Sequence, residues 1–233
     1  MIDLRGQSAL ITGASGGIGT AVALALAEEG VRLVLVGRDA EKLNDLAARA
    51  GNAEVVQADL ARDAELLALV EKVGEIDLLI HSIGLFRGGP LETAPVQDLD
   101  DQYRVNVRVP YLLTQALLAT LIRRQGQVVF VNSGAGAAPA RGSWGAYAAT
   151  KHALRALADA LRAEVNPKGV RVLTIFPGRT ATAMQEEVHR FEGKPYDPGH
   201  FLQPEDIAAP LVQALRLPRT AELTDLHIRP MKA

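Results

Sequence analysis

A doubly wound α/β fold, with helices on both faces of a parallel sheet, is predicted by three features of the sequence. Short β-branched and leucine-rich runs alternate with longer helical segments: SALIT from Ser8, VRLVLV from Val31, EVVQ from Glu54, IDLLIHS from Ile76, QVVFVNS from Gln127 and VRVLTIF from Val170. These runs are apolar throughout rather than alternating in polarity, as expected of strands buried on both faces and joined by helix-length crossovers. The third feature is a glycine-rich turn, Thr12-Gly13-Ala14-Ser15-Gly16-Gly17-Ile18-Gly19, between the first run and a segment with Ile18, Val22, Ala25 and Leu26 at helical spacing.

The bulk composition narrows the possibilities. The 233 residues suffice for a full hydrophobic core, and with no linker, repeat or low-complexity stretch they read as one domain, 1–233. Lys plus Arg number 25 against 27 Asp plus Glu, a net charge of −2 with no clustered basic run, so nucleic acid is not an expected partner. The absence of cysteine removes disulfides, thiol nucleophiles and thiolate metal sites, and fits an intracellular protein. The N-terminus lacks a signal pattern, and no apolar run reads as long enough to span a membrane, so a cytoplasmic location is expected.

Strand, glycine turn and helix start stand in the order a dinucleotide site needs. Glycines allow close backbone approach to a pyrophosphate, and a helix N-terminus offers it free N–H groups. The glycine spacing departs from G-x-G-x-x-G. The same residues also satisfy G-x-S-x-G, the nucleophile elbow of serine hydrolases, but too little chain precedes Ser15 for the upstream oxyanion loop.

The second strand ends at Val36-Gly37-Arg38-Asp39, where an adenosine ribose would lie. An arginine there accommodates a 2′-phosphate, so Arg38 points to NADP, while Asp39 reads as the N-cap of AEKLNDLAARA with Gly51 as its stop. After the third strand, the Asp59 carboxylate of Asp59-Leu60 either holds an adenine amine or caps the helix from Arg62. His81-Ser82-Ile83-Gly84 closes the fourth strand, and His81 is assigned no proton-transfer role. The region from Pro95 to Gln125 is helical with an interruption near Pro110, whose missing N–H frees the carbonyl of Asn106 and predicts a kink there.

The fifth strand delivers Asn132-Ser133-Gly134 to the sheet edge where ligands bind. Fourteen residues on, Tyr147 and Lys151 share a helical face, about 5–6 Å apart at their β-carbons. A free phenol has a pKa near 10, and a neighbouring ammonium favours its ionised form, so the pair suits proton transfer near neutral pH.

With these marks assembled, T-G-x-x-x-G-x-G at Thr12 to Gly19, Asp59, Asn106, Ser133, Tyr147-x-x-x-Lys151, Pro177-Gly178 and Thr182, the chain resembles the short-chain dehydrogenase/reductase family over nearly its whole length. The resemblance implies a Rossmann-type, seven-stranded parallel sheet with its last strand near Leu223 to Ile228. It also implies hydride transfer between a nicotinamide and a carbonyl or alcohol carbon. Tyr147 would be the general acid or base, Ser133 would bind the substrate oxygen, and Lys151 would hold the nicotinamide ribose and lower the tyrosine pKa. Asn106 would complete a water-mediated proton path. Cofactor contacts would come from Gly13, Ser15, Gly17, Ile18, Gly19, Arg38, Asp59, Leu60, Ser82, Gly84, Tyr147, Lys151, Pro177, Gly178 and Thr182.

The cofactor expected is NADP, with NAD the alternative; the substrate is a small carbonyl compound or alcohol, and the other reading is a non-catalytic dinucleotide-binding regulator. Two departures stand out: Ile83 replaces the usual alanine of Asn-Asn-Ala-Gly, and the last strand leads into Arg229-Pro230-Met231-Lys232-Ala233, from which no pocket-closing C-terminal extension is expected. In the family a mobile lid spans Thr182 to Gln203; here it includes Met184, His189, Phe191 and Tyr196, with Phe86, Arg141 and Trp144 as further pocket candidates. His189 and His200 lack partners at ligand spacing, so no metal is expected. Pairing of the Val107 to Leu121 helix and the alanine-rich helix from Ala146 about a twofold axis would give a homodimer or homotetramer.

Overall fold

The structure, a computed structural model, describes residues 1–140 and 142–231. Seven strands, β1 (Ser8–Thr12), β2 (Arg32–Gly37), β3 (Ala53–Gln57), β4 (Leu78–His81), β5 (Gln127–Val131), β6 (Arg171–Pro177) and β7 (Asp225–Ile228), form one sheet in the order β3-β2-β1-β4-β5-β6-β7. Every pairing is parallel. The crossovers are helical: α1 (Gly17–Glu28), α2 (Ala40–Ala50), α3 (Asp63–Lys72), α4 (Val96–Tyr103), α5 (Val109–Arg124), α6 (Gly145–Val165), α7 (Ala183–Glu192) and α8 (Glu205–Leu215).

The unbroken apolar strands are explained by the two cores. Alternate strand residues, such as Ile11, Leu35, Ile80 and Ile175, pack against α1, α2 and α8 on one face. Their neighbours, such as Leu10, Val36, Leu79 and Val172, pack against α3, α5 and α6 on the other. Each strand therefore buries both sides, the condition for a parallel sheet with covered faces.

Helix ends follow local chemistry. Asp39 caps α2 by accepting the Lys42 N–H at 3.1 Å, and Gly51 closes it with φ 82°. The Asp59 carboxylate does not cap α3, which begins one residue later than predicted, after Arg62; it instead accepts the Ala61 N–H at 3.2 Å. The kink expected at Asn106 takes the form of a π-turn, Arg104–Arg108, in which Val109 N–H bonds the Arg104 carbonyl five residues back. Pro110 follows it in the first turn of α5, where its missing N–H is tolerated. Together α4, the π-turn and α5 run for 29 residues, long and apolar enough by length and composition to cross a membrane, which corrects the expectation from the sequence. Half of that apolar window is buried, because Leu113, Leu117 and Leu121 face the sheet.

The order of strands reverses direction between β1 and β4, and ligands of open parallel sheets bind in the crevice beyond the strand C-termini at such a switch. The segments that leave the sheet there carry Gly13, Ser82, Ser133 and Gly178.

Candidate active site

The glycine turn sits against the end of β4. Gly13 has φ 67°, and a β-carbon on it would stand 2.8 Å from the Ile83 nitrogen and the Ser82 oxygen, so only glycine lets the chain pass here. A β-carbon on Gly17 would meet the Thr182 methyl at 2.7 Å, which brings the start of α7 directly against the start of α1. Gly16 caps α1 without a side chain, leaving the N–H groups of Gly17, Ile18 and Gly19 for a ligand.

At the neighbouring strand ends, Ser15 Oγ lies against Gly37, and Arg38 is exposed beyond it. The Asp39 carboxylate is engaged by its own helix and by Lys42 Nζ at 3.2 Å. Asp59 is half-buried, whereas Leu60 turns its side chain into the core, so that only its backbone could meet a ligand. Among the described residues Ser15 makes no side-chain bond to a histidine or carboxylate, as a hydrolase nucleophile would require.

The residues expected to transfer protons converge beside this cradle. Tyr147 and Lys151 are both buried on α6, with Lys151 Nζ 5.8 Å from the centre of the Tyr147 ring. Ser133, just beyond the end of β5, lies close enough to the phenol to lower its pKa, and its hydroxyl accepts the Ala135 N–H at 3.1 Å. Gly84 completes the enclosure, since a β-carbon there would be 3.8 Å from Asn106 Oδ1 and 3.9 Å from Lys151 Nζ.

The electrostatics correct one expectation. Burial lifts the Tyr147 phenol above its ordinary value, and it is the Ser133 hydroxyl rather than the Lys151 ammonium that pulls the other way. Lys151 is itself pushed down to about 8 by burial. Both shifts have one cause: a dry pocket disfavours any charge, and here that outweighs the attraction between the two groups. The phenol is therefore neutral at pH 7, the form that can donate a proton. His81, wholly buried, stacks on Phe130 and shares a hydrogen bond with Thr114 Oγ1 at 2.9 Å; burial holds it down at about 3.

Three polar residues take roles that the sequence did not disclose. The Asn106 side chain donates from Nδ2 to the Leu85 carbonyl (2.9 Å) and to Thr150 Oγ1 (3.0 Å), and its Oδ1 accepts the Leu85 N–H (2.8 Å). Thr150 in turn donates to the Tyr147 carbonyl at 2.8 Å. Asn132 Nδ2 donates to the Lys151 carbonyl at 3.0 Å, fastening α6 to β5. A hydroxyl lodged between Tyr147 and Lys151 in an otherwise alanine-rich run was the available signal for Thr150.

The pocket wall is aromatic. Phe86 lies edge-on to Tyr147 at 5.2 Å, to Trp144 at 5.0 Å and to Phe191 at 5.9 Å, with Val188 and Met184 of α7 beside it. Two residues expected in the pocket belong to a different cluster: His189 packs with Tyr196 and Phe201, and its Nε2 accepts from Arg179 at 3.2 Å. Arg179 also grips Glu192 through two hydrogen bonds of 2.7 and 2.9 Å, tying the far end of α7 to the segment after β6. Arg141 lies outside the described residues.

Pro177 and Gly178 end β6, with Gly178 N–H bonded to the Ile228 carbonyl at 2.7 Å, and Thr182 caps α7 by accepting the Gln185 N–H at 3.2 Å. Thr182 also stands beside Gly17 at the start of α1.

The chain compares closely with known proteins. The family model described as short chain dehydrogenase matches residues 7–193. A protein of Sinorhizobium fredii, described as an uncharacterized short-chain type dehydrogenase/reductase, is 37% identical over 232 residues, covering 97% of this chain and 92% of the relative. An uncharacterized oxidoreductase of Staphylococcus epidermidis is 31% identical, covering 99% of this chain and all of the relative. Among solved structures, a serine dehydrogenase complexed with NADP+ superposes with a TM-score of 0.86 at 25% identity, over 96% of this chain and 94% of that one. An alcohol dehydrogenase from the archaeon Thermococcus sibiricus, complexed with 5-hydroxy-NADP, does so with a TM-score of 0.84 at 27% identity, over 97% of each chain. A glycine turn at the switch point of a seven-stranded parallel sheet, a buried Tyr-x-x-x-Lys pair beside a strand-end serine, and these matches agree: the chain belongs to the short-chain dehydrogenase/reductase family and is an NAD(P)-binding oxidoreductase.

Proposed function

We propose that this protein interconverts a carbonyl compound and an alcohol with NADP, using Tyr147 as the general acid or base. The observation that carries the reading is the convergence of Tyr147, Lys151 and the Ser133 hydroxyl in one buried pocket beside the glycine cradle. A dinucleotide fits these residues: α1 presents uncapped N–H groups where a pyrophosphate is held. When bound, the cofactor supplies or accepts the hydride. The protein's part is to hold and protonate. In reduction, the neutral phenol of Tyr147 gives its proton to the developing alkoxide while Ser133 donates a hydrogen bond to the same oxygen. Lys151, buried next to both, holds the ribose hydroxyls and returns the proton to the phenol. Both N–H groups of the Asn106 side chain are taken by Leu85 and Thr150 and its oxygen holds the Leu85 N–H, so its share in the proton path is assigned to its backbone carbonyl. That nucleotide and proton-transfer residues share one sheet supports treating 1–233 as a single binding and catalytic unit. The reading includes a cytoplasmic location, which the lack of cysteine favours.

A carbonyl panel with purified protein and NADPH tests the proposal. Turnover of at least one ketone or aldehyde is expected; tight cofactor binding without turnover on any compound would favour the regulator instead.

Preference for NADPH rests on Arg38. The exposed guanidinium stands at the end of β2, and Asp39, the group that would oppose a 2′-phosphate, is already bonded to the α2 N-terminus and Lys42. Charge-assisted hydrogen bonds contribute about 1.5–3 kcal/mol, or roughly 10- to 150-fold in affinity. The uncharged Ser15 nearby argues for the lower end. Arg38→Ala should erase most of the difference in kcat/KM between NADPH and NADH; unchanged discrimination would show that another group reads the phosphate.

Self-association through α5 and α6 belongs to the same reading, supported by the half-exposed Tyr111 on α5 and by alanines on α6 that permit close approach. Sedimentation at micromolar concentration should show a dimer or tetramer, and a monomer would contradict it.

A further inference from the structure

We infer that Thr150 is a positioning residue for the reaction, setting the catalytic helix α6 against the Gly84–Phe86 segment through Asn106. The inference rests on the function proposed above. Thr150 has no exposed surface, and its hydroxyl has one proton, which goes to the Tyr147 carbonyl at 2.8 Å. Its oxygen can then only accept from other partners, and it takes Asn106 Nδ2 at 3.0 Å. That choice orients the Asn106 amide, whose remaining N–H and oxygen clamp the Leu85 carbonyl and N–H at 2.9 and 2.8 Å. One hydroxyl thus connects α6, the π-turn and the segment after β4.

The connection matters because of what flanks Leu85. Gly84 lies beside Lys151 Nζ, and Phe86 packs against the Tyr147 ring at 5.2 Å. A shift of Leu85 relative to α6 would therefore move the wall of the pocket against both proton-transfer groups at once. Threonine is also a poor choice for an alanine-rich helix interior, where it loses side-chain freedom, so its hydroxyl supplies the reason for its presence.

Thr150→Val keeps the shape and deletes both bonds, whereas Thr150→Ser keeps both bonds. Thr150→Val should lower kcat roughly 10- to 100-fold while the Kd for NADPH changes by less than about fivefold, and Thr150→Ser should recover most of the loss. Hydrogen exchange of the Leu85 amide, measured on the protein without substrate, should quicken in Thr150→Val and not in Thr150→Ser. Ser8→Ala is the control: its buried hydroxyl bonds Glu75 and Asp77 at the opposite end of the sheet, so its loss should lower Tm and leave kcat unchanged. Unchanged Leu85 exchange, a Thr150→Val enzyme with wild-type kcat, or a serine variant as impaired as the valine one would each overturn the inference. If the valine variant does not fold, Thr150→Ala against Thr150→Ser gives the same comparison. A wild type without turnover would sink the proposed function, while the exchange measurement would still decide whether Thr150 holds Leu85.

Discussion

Tyr147→Phe is expected to lower turnover at least 100-fold while leaving NADPH affinity within error of wild type. The substitution removes one oxygen and keeps the ring, so the edge-on contacts to Phe86 at 5.2 Å and Trp144 at 6.0 Å survive and the fold should be undisturbed. The half-buried Ser133 hydroxyl keeps the Ala135 N–H, so no buried polar group is stranded. What disappears under the proposed mechanism is the proton donor, and general acid–base catalysis typically supplies about 10²–10⁴-fold. The pH dependence adds a second signature. Burial raises the phenol above its ordinary value, so it stays protonated throughout the neutral range. Reduction, which needs the protonated form, should be flat there, whereas alcohol oxidation, which needs the phenolate, should climb steadily into the alkaline range. Steady-state kinetics in both directions and a fluorescence titration with NADPH check this. A variant with half its activity would remove Tyr147 from the mechanism.

The parts of this molecule that could be read from its sequence are those where the physics is local. Apolar runs such as SALIT are strands because both faces are buried, and Asp39 caps α2 because a carboxylate at that position meets its own helix. The glycine turn was legible because its residues stand together between a strand and a helix, although the close pass beneath Ser82, which also demands glycine at position 13, joins segments far apart in the chain. The charge state of the tyrosine was not, because it depends on burial by Phe86 and Val188, which come from distant parts of the chain. The spacing of Tyr147 and Lys151 correctly placed the two groups side by side, but it said nothing about the dielectric between them. His189 illustrates the same limit: its place on α7 suggested a pocket residue, yet Arg179 and Phe201 draw it to the other side of the helix.

Lys151→Met is expected to make the protein more stable and nearly inactive. The Lys151 side chain is 2% exposed, and among the described residues no carboxylate lies within ion-pair reach of its Nζ. Burial holds it down from 10.5 to about 8, which corresponds to a cost on the order of 3 kcal/mol for keeping that charge in a dry site, at about 1.4 kcal/mol per tenfold. The direction with pH follows from which state holds the proton. Between about 8 and 10.5 the unfolded chain is still protonated at this lysine and the folded chain is not, so this group's contribution makes stability rise with pH across that window. Below about 8 the penalty is present in full. Methionine has a similar length and no charge, and the backbone of residue 151 stays fastened by Asn132, so the helix should not move. The variant should therefore exceed wild type by up to roughly 3 kcal/mol at pH 7, and the gap should close as the pH approaches 10.5. Tyr147 is common to both proteins, so its own titration above 10 largely cancels in the comparison. Turnover should fall by roughly 10²–10³-fold, the cost of removing one aimed donor, and cofactor affinity should weaken with it. Urea denaturation at pH 7 and at pH 9.5 measures the difference. A variant no more stable than wild type at pH 7 would mean that the ammonium finds compensation in the folded protein, and an equal gap at both pH values would mean that Lys151 does not titrate in this range.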